Sequence, residues 1–291
     1  MRVLVTGHKG YIGSHLFERL KLEGYDVAGI DLTGCILDGK ELPGENICDG
    51  YPVEYYQFMP EFIFHLAAIP RVGYSVANPV EVMENNIMCT AKTLRFAKVA
   101  KSSLIYSSSS SVEGNGAGPT NPYALSKYVG ELESVMYNDL YDVPTVSLRY
   151  FNVYSHDQKA EGTYATAVSN WMEYIRQNRP PFITGSGNQR RDMAHVDDVV
   201  DANMHSMKNM PHLRGRVFDV GTGDNISLNE MRDIVLEVFP GLRFEYKSGR
   251  PGEVTETKAN IKNFKKAGWS GKIPIKAGIK ECFERLKGEI Q

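Results

Sequence analysis

Residues 3–20 read VLVTGHKGYIGSHLFERL: a short β-rich apolar run, glycines at 7, 10 and 13, then a helix-length segment with apolar residues at 12, 16, 17 and 20. Gly7, Gly10 and Gly13 restrict the fold more than any other residues here. Glycines in this spacing suit a tight turn in which the backbone approaches a pyrophosphate, the helix packs close on the strand, and the helix N-terminus faces the phosphates. Tyr11 and Ile12 lie inside the same loop. An acid, Asp31, follows 18 residues after Gly13, at the end of the next β-rich run. That is the spacing of a ribose-binding acid, so the segment predicts a dinucleotide site. Asp31 can accept from a ribose diol and repels a 2′-phosphate, and Leu32 and Thr33 bring no positive charge. NAD is therefore expected over NADP. Lys9 is either a solvated side chain or a group able to reach a 2′-phosphate.

Four more β-rich runs follow, at residues 25–31, 62–68, 103–107 and 145–152, with helix-length segments between most of them. Alternation of this kind predicts an α/β fold, a Rossmann-type doubly wound parallel sheet covered on both faces. After about residue 153 the rhythm loosens. The expected organisation is an NAD-binding domain over residues 1–153, joined by about 192–222, and a smaller C-terminal α/β substrate domain over about 154–191 and 223–291. In that half Ser227 and Glu230 have capping-box spacing, and VFDVG at 217–221 reads as a strand able to return to the first sheet.

The 33 basic and 35 acidic side chains form no long run of one sign, which argues against nucleic acid or an anionic membrane as partner. A small molecule is the expected partner. Cys35, Cys48, Cys89 and Cys282 show no metal-ligand spacing and no disulfide framework, so no metal site and a reducing cytoplasm are expected. No apolar run is long enough to span a membrane, and the N-terminal apolar stretch is too short for a signal peptide.

SLIYSSSSSVEG, residues 103–114, carries five serines directly after an apolar run, at the edge where an α/β sheet presents residues to ligand. Asn121 and Pro122 then announce a helix that stacks Tyr123 and Lys127 on one face. A phenol with pKa near 10 is a poor base at neutral pH, but a nearby ammonium and a cationic nicotinamide both favour its phenolate. A neighbouring serine hydroxyl can hold the substrate oxygen as its proton leaves.

In this order TGHKGYIGSHL, HLAA, YSSSSSV, NPYALSK, LRYFNVY, QRRDMAHVDDVV, VGTG, RPGEV and AGW resemble the extended short-chain dehydrogenase/reductases, and among them the nucleotide-sugar epimerases of the UDP-glucose 4-epimerase type. The resemblance implies NAD in the glycine loop and Ser109, Tyr123 and Lys127 as catalytic trio. It also implies cofactor contacts from Leu66, Ala67, Ala68, Asn85, Ser107 and Tyr150, with Asn46 and Ile47 at the adenine. Asn152, Phe182, Arg191, Arg250 and Glu253 are implied on the nucleoside diphosphate sugar, the arginines suiting bidentate contacts to phosphate. Two departures lie near the substrate: Glu113 where the family usually has tyrosine, and Ser155-His156 where it has Gly-Pro.

Relatives that dehydrate or decarboxylate carry an acid one or two places after the catalytic hydroxyl; here those places hold Ser110 and Ser111. Relatives that epimerise beside the ketone use a cysteine, and none stands in the serine run. The expected reaction is therefore C4 epimerisation of a UDP-hexose, plain or N-acetylated, through a 4-keto sugar. An NAD(P)H-dependent keto-sugar reductase or dehydratase-family relative and a catalytically silent NAD-binding regulator remain the alternatives. The resemblance further implies a small pocket-wall residue at Thr257, which leaves room for an acetamide, and a homodimer paired through helices near residues 80–98 and 123–140.

Overall fold

The computed structural model describes residues 1–70, 72–160, 166–249 and 255–290. The first half supplies β1 (Arg2–Thr6), α1 (Tyr11–Leu22), β2 (Asp26–Ile30), a hairpin of β3 (Cys35–Leu37) and β4 (Lys40–Leu42), α2 (Val53–Phe58), β5 (Phe62–His65), α3 (Val72–Ala77), α4 (Pro79–Ala100), β6 (Ser103–Ser109), α5 (Pro122–Tyr141) and β7 (Thr145–Tyr150). A 3-10 turn, Ser110–Gly116, joins β6 to α5. The second half supplies α6 (Ala167–Arg176), β8 (Phe182–Thr184), β9 (Arg190–Arg191), α7 (Val196–Lys208), α8 (Met210–Leu213), β10 (Arg216–Val220), β11 (Ile226–Ser227), α9 (Leu228–Val238), β12 (Glu245–Lys247), α10 (Lys262–Lys266) and α11 (Ile275–Ile290).

The main sheet has the order β10-β7-β6-β5-β1-β2-β3-β4. From β10 to β2 all neighbours are parallel, and β3 runs antiparallel to both β2 and β4. Side chains alternate across it as a strand requires. In β1, Val3 and Val5 enter an apolar cluster with Leu16 and Phe17 of α1 and Val199 and Val200 of α7. Leu4 between them faces the other way, into a cluster with Leu94 and Phe96 of α4. Both faces are thus covered, which is why these strands read as continuous apolar runs. A third cluster joins Trp171, Met172, Val235, Ile279 and Phe283 from α6, α9 and α11.

The chain leaves β1 for β2 on one side and later returns to β5 on the other. The carboxyl ends of β1 and β5 therefore flank the crevice where an open α/β sheet binds ligand. Gly7 sits there with φ +72, and a Cβ on it would stand 2.8 Å from the Ala67 nitrogen. A Cβ on Gly13 would stand 2.0 Å from the Gly7 oxygen. These close approaches, more than turn propensity, account for the glycines. No helix among the described residues is long and apolar enough to cross a membrane.

One expectation is corrected. Cys48 and Cys89 form a disulfide, with Cα atoms 4.6 Å apart and a sequence separation of 41. Their proximity arises because α4 packs beside the loop that follows β4, a relation that cysteine spacing does not carry.

Candidate active site

At the carboxyl edge of the sheet, β6 ends in the serine run. Ser109, extended at φ −143, caps the 3-10 turn, its Oγ accepting from the Ser111 nitrogen (3.2 Å) and from the Ser111 hydroxyl (2.9 Å). Asn121 caps α5 by accepting from the Ala124 nitrogen at 2.9 Å, and Pro122 occupies the first turn. This fixes the start of α5 so that Tyr123 and Lys127, one turn apart, both line the cleft with Ser109. Lys127 is buried and donates to the Ser107 carbonyl at 2.7 Å, while the Ser107 hydroxyl meets the Tyr150 hydroxyl at 3.0 Å.

Burial sets the electrostatics of the trio. It pushes Lys127 down to about 7, against the nearby Glu131 carboxylate, which favours the ammonium. It pushes Tyr123 above the usual phenol value, against the hydrogen bond from Ser109. In the protein by itself the phenol therefore keeps its proton at neutral pH, and the Lys127 ammonium is only one of the two charges expected to favour the phenolate. Ionisation of Tyr123 needs a further positive charge in the cleft, which a nicotinamide cation supplies.

Behind the trio lies a charge network that reading the sequence missed. Glu131, one turn beyond Lys127, accepts from Arg149 Nε and Nη2, both at 2.8 Å, and from the Ser108 hydroxyl at 2.5 Å. Arg149 Nη1 also stands 3.5 Å from Glu113 and 4.0 Å from Asp219. Glu113 lines the cleft, and burial raises its pKa, with Asp219 adding to the rise and Arg149 opposing it. The signals were available: a lone arginine in the apolar run TVSLRYF, and an acid four residues after Lys127 on the same helical face.

The cleft holds about 1170 Å³ and runs from the glycine loop to the second half of the chain. The end at the glycine loop is lined by Gly7, Gly10, Tyr11, Ile12 and Gly13, by Asp31 after β2, and by Asn46 and Ile47. Leu66, Ala67, Ala68, Asn85, Ser107 and Tyr150 continue the wall toward the trio. The Gly10 N-cap of α1 has no side-chain hydrogen bond and the first turn no acid, so helix N–H donors are left for an anion. Asp31 accepts from the Thr33 nitrogen at 3.0 Å and hydroxyl at 2.9 Å, which orients its carboxylate at the cleft. Donors at one end and an acid at the other fit a dinucleotide. His8, inside the loop, turns into the core against Phe17; neither ring nitrogen has a hydrogen-bond partner among the described residues, and burial lowers its pKa, so it is neutral packing.

At the opposite end the cleft is lined by Asn152, Arg191 and Thr257. Asp192, fully buried, holds them there: its carboxylate accepts from the Thr222 nitrogen and hydroxyl (both 2.8 Å), the Gly223 nitrogen (2.9 Å) and the Ala259 nitrogen (3.0 Å). Asn152 donates to the Asp192 carbonyl at 2.7 Å, and Thr257 exchanges backbone bonds with Arg190 and Asp192. Phe182 does not line the cleft; its ring packs on Tyr174 and under the Lys247 ammonium, because β8 pairs with β12 away from the main sheet. Arg250 and Glu253 lie outside the described residues.

Comparison with known proteins agrees with this geometry. A UDP-glucose 4-epimerase from Thermus thermophilus, solved with NAD, superposes with a TM-score of 0.85 at 27% identity, covering 99% of each chain. A UDP-N-acetylglucosamine 4-epimerase from Methanobrevibacter ruminantium, solved with UDP-N-acetylmuramic acid, gives 0.87 at 27% identity over 99% of this chain and 98% of that one. In sequence, a putative UDP-glucose 4-epimerase of Methanocaldococcus jannaschii is 34% identical over 98% of both chains. With the NAD dependent epimerase/dehydratase profile matching residues 3–221, the chain belongs to that family, as an NAD-dependent enzyme of nucleotide-sugar chemistry.

Proposed function

We propose that the chain is a nucleotide-sugar 4-epimerase acting on a UDP-hexose. The observation that carries this reading is the cleft-lining trio of Ser109, Tyr123 and Lys127, followed by hydroxyls and not carboxylates at 110 and 111. Tyr123 as phenolate takes the 4-hydroxyl proton, Ser109 hydrogen-bonds the forming carbonyl oxygen, and Lys127 holds the local charge. NAD, which the glycine loop and Asp31 would hold, would supply hydride acceptance from C4 and its return, with no net change of the cofactor over a cycle. The 4-keto sugar turns over between the two transfers, and Tyr123 returns its proton to the opposite face's alkoxide. Arg191 and Asn152 at the far end of the cleft are suited to anchor the diphosphate and uridine while the sugar moves.

One observation favours a second reading, dehydration or decarboxylation of the keto sugar: Glu113 brings a carboxylate with a raised pKa to the cleft four residues after Ser109. The engagement of Glu113 with Arg149 supports a supporting role instead. Incubation of the pure protein with a UDP-hexose panel and no added cofactor, followed by sugar analysis, separates the two. Interconverted C4 epimers support the proposal; a deoxy-keto sugar or a pentose overturns it.

A further inference from the structure

The departure Ser155-His156 finds a use in the structure. Tyr11 and His15 lie one turn apart at the start of α1, with rings in edge contact at 5.5 Å. The Tyr11 hydroxyl meets the Ser155 hydroxyl at 2.6 Å, the Ser155 hydroxyl donates to Asp157 Oδ1, and His15 Nε2 stands 3.1 Å from Asp157 Oδ2. A carboxylate only accepts, so Ser155 spends its proton on Asp157 and accepts from Tyr11. Ser155 is 1% exposed and burial raises the Tyr11 pKa, so the two hydroxyls keep their protons, whereas the chain ends at the surface on Asp157, whose side chain is 45% exposed.

The segment gripped in this way also forms cleft wall. Val153, Gln158 and Thr166 line the cleft beside Tyr11. Gln158 donates to the Val153 carbonyl at 3.1 Å and accepts from the Thr166 hydroxyl at 2.8 Å. Residues 153–158 are therefore a braced strap, attached to the first turn of the helix whose N-terminus faces the cofactor phosphates.

We propose that Ser155 and Asp157 are positioning residues for the cofactor: they latch this strap onto Tyr11 and His15 and so slow the release of bound NAD. Opening the wall at the glycine loop must break the Tyr11–Ser155 bond and the charge-assisted bonds to Asp157 together. Glycine and proline, usual in the family at 155 and 156, lack the hydroxyl that links Tyr11 to Asp157. The inference rests on NAD binding alone and not on which sugar is turned over.

The test uses the full chain loaded with NADH, chased with excess NAD, with the loss of bound-NADH fluorescence followed by stopped flow and no sugar present. Ser155→Ala and Tyr11→Phe each delete one hydroxyl. Each is expected to speed release ~10-fold, equivalent to ~1.4 kcal/mol. The double variant should release no faster than either single one, because both remove the same link. Asp157→Asn, which keeps the shape and loses the charge, is expected to give a smaller acceleration. Release within ~2-fold of the parent in both single variants, or accelerations that multiply in the double, overturns the latch.

Discussion

Arg149→Met should destabilise the protein more than any change at an exposed arginine. The Glu131 side chain is 3% exposed and that of Arg149 23%, and removing the guanidinium leaves the carboxylate with the Ser108 hydroxyl in place of three donors. Breaking a buried pair in this way costs about 3–5 kcal/mol, because the remaining charge is stranded. Unfolding entropy of ~2.1 cal/mol/K per residue gives about 0.6 kcal/mol/K for a two-state chain of this length, so ~4 kcal/mol corresponds to a Tm about 7 °C lower. Scanning calorimetry on parent and variant reads this directly, with urea unfolding as a check. The second arm is Arg149→Met with Glu131→Gln, which removes the stranded charge and should recover at least half of the loss. A single variant within ~1.5 °C of the parent, or a double variant no better than the single, would refute the view that Glu131 is held as a buried carboxylate by Arg149.

Tyr123→Phe should lose at least ~100-fold in turnover while still binding nucleotide sugar in calorimetry, since it deletes the acid/base group and leaves the far end of the cleft intact; retention of a tenth of parental activity would remove Tyr123 from that role. Lys127 is held at about 7 by burial, while an unfolded lysine titrates near 10.4, so between those values the unfolded chain binds the extra proton and stability rises with pH. The urea midpoint of the parent should therefore climb, relative to Lys127→Met, from pH 7 to pH 9, and parallel profiles would contradict the depressed pKa. Thr257 lines the cleft with its hydroxyl 3.4 Å from Asn152 Nδ2. Thr257→Tyr should depress interconversion of the UDP-N-acetylhexosamines ~10-fold or more while sparing the plain hexoses, and an equal effect on both pairs would show that position 257 does not gate the 2-substituent.

What was legible in the amino-acid order was local, or repeated at a short period. The glycine loop, the acid closing β2, the five β-rich runs of the parallel sheet and the one-turn spacing of Tyr123 and Lys127 each express a single strand, turn or helix. Backbone sterics and side-chain periodicity act over such distances, so they leave a readable pattern. The trio's charges were not legible: the same Tyr-Lys pair on an exposed helix would titrate normally, and only burial beneath the sheet edge lowers Lys127 and raises Tyr123.

Contacts between distant segments were decided by tertiary structure alone. Cys48 and Cys89 meet because α4 crosses the loop after β4, and Asp192 gathers donors from Thr222, Gly223 and Ala259, none of which marks itself as a partner in the chain. Phe182 packs on Tyr174 where β8 pairs with β12 and is not among the residues that line the cleft, although the family resemblance implied a substrate contact there. Tyr11 and Ser155 lie 144 residues apart and touch only because the segment after β7 folds back over α1. A hydrogen bond needs its partners within about 3 Å, and that condition is met by packing of whole elements, to which neither residue type nor spacing is a guide.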